Sequence, residues 1–257
     1  MLEAHIRARL ERRPLLLMTH MVVGYPSLDA NRAMLEAMQE AGVDLVELQM
    51  PFSEPIADGP VFIRANQEAL AHGLRRDDYF RFMETASRAV DIPLLFMGYY
   101  NPVFRMGHEA FCERLAEAGG RGMIIADLPP QEAGDLPEHA AARRLDFIRL
   151  MTPTDTDARL REIADGASGF VYCVARRGVT GRATELDQGV RAYLDRCRAA
   201  TPLPLAVGFG IRAPDHVRQL KGAADIAIVG TACLEAWEQG DRKAFLGFLK
   251  SLTEAAT

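Results

Sequence analysis

This chain of 257 residues contains little of the two residue types that carry most metal and redox chemistry, with four cysteines and six histidines. No two cysteines are spaced as CxxC, and no histidines are spaced as HExxH, so neither of these metal-binding motifs is present. Scattered single cysteines are typical of reduced, buried thiols in a cytoplasmic protein. The sequence therefore predicts a cytoplasmic location and no bound metal.

Long apolar runs and an excess of positive charge are also missing. No apolar segment approaches the roughly 20 residues that a membrane-spanning helix needs. Residues 1–13 predict a charged amphipathic helix and lack the apolar centre of a secretion signal. Thirty basic and 35 acidic residues give a formal net charge of −5, which argues against nucleic acid and anionic membranes as partners.

Short apolar runs alternate with amphipathic helical patterns along the whole chain. The runs are apolar almost throughout, as expected for parallel strands buried on both faces. Eight such runs are present: 15–21, 45–49, 94–97, 123–126, 147–150, 170–174, 205–208 and 226–229. Eight βα units without a composition break predict an α/β fold, a single (β/α)8 TIM barrel over residues 1–257 with an extra N-terminal helix. A doubly wound open sheet is the rival architecture. Asp29, Asp157 and Asp187 are expected to be helix N-caps.

One segment, residues 45–60 (LVELQMPFSEPIADGP), carries two acids of interest. Its first five residues predict a buried strand, and the prolines and glycine that follow predict a stiff loop. Because strand neighbours point to opposite faces, Leu45, Glu47 and Gln49 share one face. Buried carboxylates are rare unless they are paired with a partner group or take part in function. Glu47 and Asp58 are therefore candidate catalytic acids, and a salt-bridged Glu with a capping Asp is the alternative.

The segment 45–60 resembles the signature of the tryptophan synthase alpha subunit family, which typically reads LELGxPFSDPxADGP. The matching residues are Glu47, Leu48, Pro51, Phe52, Ser53, Pro55, Ala57, Asp58, Gly59 and Pro60. The chain departs from the family at Gln49, where Gly is usual, at Glu54, where Asp is usual, and at His20, where Phe is common. For His20, a structural role is favoured over a place at the pocket mouth.

Other strand ends carry segments similar to the same family, and the resemblance extends over residues 15–234. In MGYYNPVFRMG, Tyr99 can line an aromatic pocket. The alternative is that it only packs within the loop. In IIADLPP, Asp127 is explained by a turn before proline. In VYCVARRGVTG, Tyr172 matches the tyrosine that faces the catalytic acid in the family, whereas Arg177 and Ala175 depart from it. The glycines that follow predict a mobile loop able to close over substrate.

Glycine-rich turns follow the last two predicted strands, where TIM barrels commonly bind phosphate. Glycine lets the main chain approach an anion, and a helix N-terminus supplies N–H groups and a favourable dipole. With Tyr172 and Tyr99, the predicted substrate-binding residues are Thr180, Gly181, Phe209, Gly210, Gly230 and Thr231.

The resemblance implies retro-aldol cleavage of indole-3-glycerol phosphate to indole and glyceraldehyde 3-phosphate, a step of tryptophan biosynthesis, with no cofactor on this chain. It also implies a tryptophan synthase beta subunit that carries pyridoxal phosphate, in an alpha2beta2 complex. The segments 51–55 and 99–104 are expected to offer exposed aromatic and proline surface for it. Gln49 and Glu54 are expected to lie in that region, and whether they act on the site or on the interface is left open. A stand-alone lyase, another phosphate-binding isomerase or aldolase, and a barrel that binds a phosphorylated ligand without turnover remain open.

Overall fold

A computed structural model describes residues 2–174, 188–208 and 210–257 of the chain. Eight parallel strands form a closed barrel in sequence order, which confirms the TIM barrel and excludes the open sheet. The strands are β1 (Leu16–Val22), β2 (Leu45–Gln49), β3 (Leu94–Gly98), β4 (Gly122–Ile125), β5 (Asp146–Met151), β6 (Val171–Val174), β7 (Leu205–Gly208) and β8 (Ile226–Val229). Every predicted run forms a strand, within one or two residues at each end.

Helices surround the barrel and connect its strands. In the described ranges they are α1 (Leu2–Leu10), α2 (Leu28–Ala41), α3 (Pro60–Ala71), α4 (Arg76–Ala89), α5 (Tyr100–Met106), α6 (His108–Glu117), α7 (Leu136–Ala142), α8 (Asp157–Asp165), α9 (Gln188–Ala200), α10 (Pro214–Gln219), α11 (Thr231–Gln239) and α12 (Arg242–Ala256). No helix within the described ranges combines the length and the apolar character that a membrane crossing requires.

The expected N-terminal helix is α1, which covers the N-terminal end of the barrel. Its Leu2 and Ile6 pack into the apolar interior of the barrel, and the backbone N–H of Leu2 donates to Oδ2 of Asp146 at 2.7 Å. The buried carboxylate of Asp44 pairs with Arg9 of α1 and with Arg13. The opposite end of the barrel, where the strands finish, is thus left for chemistry.

Strand alternation sets which side chains of β2 enter the barrel. Leu45 belongs to the interior cluster, whereas Val46 and Leu48 belong to the outer layer between strands and helices. Glu47 and Gln49 therefore point inward. The register of β1 against β2 pairs His20 with Glu47, so the histidine is a direct neighbour of the predicted catalytic acid.

Two predicted N-caps are wrong by one or two residues. Ser27 caps α2 and Thr156 caps α8, because each hydroxyl accepts a hydrogen bond from the backbone N–H three residues later. Asp29 and Asp157 lie inside the first turn instead, where a negative charge still favours the helix dipole. Asp187 lies outside the described residues.

Candidate active site

Four polar side chains meet at the C-terminal end of β1 and β2. Glu47 and Gln49 are 0 % exposed, Asp58 is 5 % exposed and His20 is 6 % exposed. Glu47 and Gln49 come from one face of β2, His20 comes from β1, and Asp58 comes from the loop that leads to α3. The structure therefore brings both predicted acids into one buried cluster, together with two residues at which the chain departs from the family pattern.

These four side chains form a continuous chain of polar contacts. His20 Nδ1 lies 3.0 Å from Oε2 of Glu47, and His20 Nε2 lies 2.9 Å from Oε1 of Gln49. Gln49 Nε2 then donates to Oδ2 of Asp58 at 2.7 Å. The two carboxylates are thus connected through an imidazole and an amide.

Glu47 is a fully buried carboxylate whose hydrogen bonding is incomplete. Neither of its oxygens accepts a well-directed hydrogen bond from a described residue, although Oε2 is close to His20 Nδ1. A buried charged group left without hydrogen bonds costs at least about 1–3 kcal/mol. Buried polar groups without partners cluster at functional sites, so Glu47 remains the candidate catalytic acid.

Asp58 is held in place by its own loop and by α3. Gly59 is the N-cap of α3, and the backbone N–H of Asp58 donates to the carbonyl of Pro55 at 3.0 Å. Asn66 of α3 accepts from the backbone N–H of Phe52 at 2.9 Å and lies 3.4 Å from Oδ2 of Asp58. The sequence analysis missed Asn66, although an asparagine among the buried residues of an amphipathic helix is a signal that could have indicated it.

Tyr99 lies directly beneath the same loop. Its hydroxyl accepts from the backbone N–H of Ala57 at 3.1 Å, and its ring stacks on Phe52 with centroids 5.3 Å apart. The side chain is buried. Tyr99 therefore supports the loop that carries Asp58, and its direct contact with substrate stays a prediction.

Burial and charge determine how the site titrates. Burial raises the pKa of Asp58, and the hydrogen bond from Gln49 and the charge of His20 oppose this only in part. Burial alone lowers the pKa of His20, but the carboxylates of Glu47 and Asp58 together outweigh it and leave the pKa raised. Burial raises the pKa of Tyr172 far above its usual range, and the charges of Glu47 and Asp58 add to this shift. Tyr172 is therefore a neutral phenol whose pKa is affected by both acids, and its place in the substrate pocket stays a prediction.

The residues predicted to bind phosphate follow β7 and β8. Gly210 has a φ of 80°, a left-handed conformation that favours glycine. Gly230 precedes α11, and Thr231 is its first residue. A Cβ added at Gly230 would lie 3.3 Å from the ring of Phe62 and 3.9 Å from Cβ of His20, so this end adjoins the acid cluster. Thr180, Gly181 and Phe209 lie outside the described residues, as do Ala175 and Arg177.

The structure also places Gln49, Glu54 and Asp127. Gln49 is completely buried in the site, so it cannot belong to an interface with a partner, whereas Glu54 is exposed. Asp127 lies in a turn, as expected, and its Oδ1 also accepts the backbone N–H of Tyr100 at 2.7 Å at the start of α5. The aspartate therefore positions the helix that follows β3.

The surface expected to receive a partner is also corrected in part. Pro51 and Pro55 are buried and offer no docking surface. Exposed apolar area at this end of the barrel comes from Ile56, which is 73 % exposed, and from Phe104, which is 64 % exposed.

Known proteins resemble this chain both in sequence and in fold. A family model described as "Tryptophan synthase alpha chain" matches residues 7–252. The tryptophan synthase alpha chain of Syntrophotalea carbinolica is 48% identical over 98% of this chain and 100% of its own length. A chain of Mycobacterium tuberculosis tryptophan synthase superposes with a TM-score of 0.91 at 33% identity, covering 99% of this chain and 97% of that one. A chain from the tryptophan synthase a2b2 complex of Pyrococcus furiosus, described for its mutual activation, gives a TM-score of 0.86 at 30% identity, covering 95% and 98%.

Proposed function

The chain belongs to the tryptophan synthase alpha chain family, and we propose that Glu47 and Asp58 carry out the indole-3-glycerol phosphate lyase reaction of that family in this protein. The products are indole and glyceraldehyde 3-phosphate, and the pathway is tryptophan biosynthesis. The observation that carries the assignment is the buried carboxylate of Glu47, whose oxygens lack well-directed hydrogen bonds among the described residues.

Glu47 is proposed to move the protons of the retro-aldol step. The carboxylic acid gives a proton to C3 of the indole, which places positive charge on the ring nitrogen. The carboxylate then takes the proton of the adjacent glycerol hydroxyl while the carbon–carbon bond breaks, and the bonding pair restores the aromatic ring. One proton is given and one is recovered, so a single buried acid–base group suffices.

Asp58 is proposed to stabilise the charge that develops on the indole nitrogen. An ionised carboxylate accepts the N1–H hydrogen bond, and this interaction strengthens when the ring becomes cationic. The buried position of Asp58 increases the effect because the local dielectric constant is low. Tyr172, kept neutral by burial, is proposed to line the same pocket.

The phosphate of the substrate is proposed to bind at the ends of β7 and β8. Gly210, Gly230 and Thr231 lie there, and the N-terminus of α11 supplies backbone N–H groups and a favourable dipole. Thr180, Gly181 and Phe209 complete the proposed set from the sequence. Residues 1–257 are proposed to act as one barrel domain.

A tryptophan synthase beta subunit is proposed to dock at the C-terminal end of the barrel, in an alpha2beta2 complex. The exposed side chains of Ile56 and Phe104 support this face, since apolar and aromatic residues are enriched in the centres of interfaces. The likeness to a chain of the Pyrococcus furiosus complex supports it as well. Pyridoxal phosphate is proposed to belong to the beta subunit, and this chain to use no cofactor. Four free, buried cysteines support a location in the reducing cytoplasm.

The proposal is tested by incubating the purified chain with indole-3-glycerol phosphate and measuring indole and aldehyde, with and without a beta subunit. Product formation that increases on adding the beta subunit supports the assignment. Full activity without it indicates a stand-alone lyase. No product under either condition overturns the lyase assignment and favours another phosphate-binding barrel.

A further inference from the structure

His20 and Gln49 are two positions at which the chain departs from the pattern of its family, and their side chains touch each other. His20 Nε2 lies 2.9 Å from Gln49 Oε1, and both side chains are buried. Phenylalanine and glycine, the residues usual at these positions, can form no such contact. The two departures therefore form one structural unit, and this unit connects Glu47 to Asp58.

The direction of each hydrogen bond in this unit follows from simple chemistry. An ionised Asp58 only accepts, so the amide nitrogen of Gln49 must face it, as observed. The amide oxygen then faces His20 and only accepts, so Nε2 of His20 must carry a hydrogen. The remaining ring nitrogen, Nδ1, lies 3.0 Å from Oε2 of Glu47. At this distance the two atoms are close enough to share one proton, either on an imidazolium that faces a carboxylate or on a carboxylic acid that faces a neutral ring.

We propose that His20 is a positioning residue that shares this proton with Glu47. Gln49 fixes the tautomer of His20 and couples the position of the shared proton to the ionisation of Asp58. This inference rests on the proposed function of Glu47 and goes beyond it by adding two residues. When Glu47 gives the shared proton to C3, Nδ1 is left without a hydrogen and faces the carboxylate, which makes Glu47 a stronger base for the proton of the glycerol hydroxyl. When Glu47 recovers the hydroxyl proton, the pair returns to its initial state.

Within residues 2–174, 188–208 and 210–257, the charged groups that act on His20 are the two carboxylates. Glu47 faces it from β2 and Asp58 from the following loop. Cys233 of α11 lies against the backbone of His20, and its thiol stays protonated because burial raises its pKa. The ring of Phe62 in α3 packs at 4.4 Å between centroids, and Tyr172 of β6 stays a neutral phenol. The raised pKa of His20 agrees with a shared proton.

The first test is an NMR titration that detects the protonation of each His20 ring nitrogen and requires no catalytic turnover. Histidine labelled with nitrogen-15 is incorporated, and the His20 signals are assigned by their loss in His20→Phe. Nε2 is expected to stay protonated throughout the titration, while Nδ1 titrates above the ordinary value of about 6.5. Glu47→Gln is expected to lower that midpoint by about one pH unit or more. An unprotonated Nε2 in the neutral ring, or a midpoint insensitive to Glu47→Gln, would overturn the proposal.

The second test measures kinetics of His20→Phe, Gln49→Gly and the double variant, with His72→Phe as the control, because His72 is an exposed histidine at the end of α3. Each single variant is expected to lower kcat by about 10- to 100-fold, the effect of losing one charge-assisted hydrogen bond, with KM within about threefold. The double variant is expected to lose far less than the product of the single losses, because the residues act as one unit. His20→Phe should also remove the limb of the pH profile of kcat that follows the His20 titration.

Unchanged kcat and pH profile in His20→Phe, or losses that multiply in the double variant, would overturn the proposal. If the other variants do not fold, the nitrogen-15 titration of the wild-type chain and of Glu47→Gln still tests whether His20 and Glu47 share a proton. Absence of lyase activity in the wild type overturns the proposed function alone, because the titration still tests the shared proton.

Discussion

Gln49 donates a 2.7 Å hydrogen bond to Oδ2 of Asp58, so the carboxylate proposed to face the indole nitrogen already has one donor in place. The bond exists because Gln49 ends β2 on the inward face, and the loop returns Asp58 to the same end of the barrel. The bond opposes the rise in the pKa of Asp58 that burial causes, although burial prevails. Gln49 thus orients the carboxylate and favours its ionised form.

Replacing Glu47 by glutamine is expected to remove most turnover and to leave substrate binding nearly intact. The amide neither gives nor takes a proton, and general acid–base groups contribute roughly 10²- to 10⁴-fold in rate. Steady-state kinetics with indole-3-glycerol phosphate measure the effect. Glu54→Gln is the matched control, because it removes an exposed carboxylate from the same loop. Wild-type turnover in Glu47→Gln would make Glu47 a structural residue.

Asp58→Asn is expected to lower kcat sharply while the fold is kept. An asparagine oxygen can still accept the hydrogen bond from Gln49, but a neutral amide cannot offset positive charge on the indole ring. Binding of indolepropanol phosphate, an unreactive mimic, should change by less than about tenfold, or 1.4 kcal/mol. A hundredfold loss of mimic binding with little loss of turnover would instead assign Asp58 to ground-state binding.

Gly210→Asp is expected to raise KM steeply, because it places a negative charge beside the bound phosphate. Gly222→Asp is a matched control for backbone strain. Gly222 has a φ of 78°, against 80° for Gly210, and a Cβ there would meet nothing within 4 Å. Both variants place a side chain at a similar left-handed φ, so their backbone strain is matched. Equal KM values for the two variants would indicate that the phosphate binds elsewhere.

His20 is expected to make folding stability fall as pH rises above neutrality. The carboxylates of Glu47 and Asp58 outweigh burial and raise its pKa, so the native state binds more protons than the unfolded chain. Its contribution is complete below about pH 6.5 and is lost as pH passes through the raised native value, with a slope of at most about 1.4 kcal/mol per unit. Urea unfolding across this range measures it, and Glu47→Gln should flatten the slope. An identical slope in His20→Phe would contradict the expectation.

Strand positions could be predicted from the sequence because each barrel strand is an apolar run between turn signals. The run 45–49 is β2 to the residue, and alternation along it correctly predicted that Glu47 points inward. The pairing of His20 with Glu47 could not be predicted, since nothing in either strand specifies the register of two parallel strands that are far apart in sequence. His20 was therefore interpreted as a structural histidine, although it touches the predicted catalytic acid.

The direction in which the Gln49 side chain points is a second feature that could not be predicted from the sequence. A glutamine in place of a glycine at a strand end indicates only that space exists for a side chain. Whether that side chain points to a partner surface or into the site depends on the path of the loop 50–59, which Asn66 and Tyr99 fix from other elements. Contacts between elements of this kind leave no periodic pattern in the chain, so the sequence leaves open whether Gln49 belongs to the site or to the interface.

A cognate beta subunit is expected to raise lyase activity at least about tenfold, which requires about 1.4 kcal/mol of preference for the active conformation. Phe104→Ser should weaken this stimulation, because it removes an exposed aromatic side chain beside the site, while activity without the partner stays unchanged. Leu70→Ser is the matched control. Leu70 is also exposed and lies near the C-terminal end of α3, whereas Asp58 directly precedes the N-cap of that helix. Indole formation is measured against added beta subunit for the wild type and both variants. Equal loss of stimulation in both variants would remove Phe104 from the interface, and full activity of the wild type alone would indicate a stand-alone lyase.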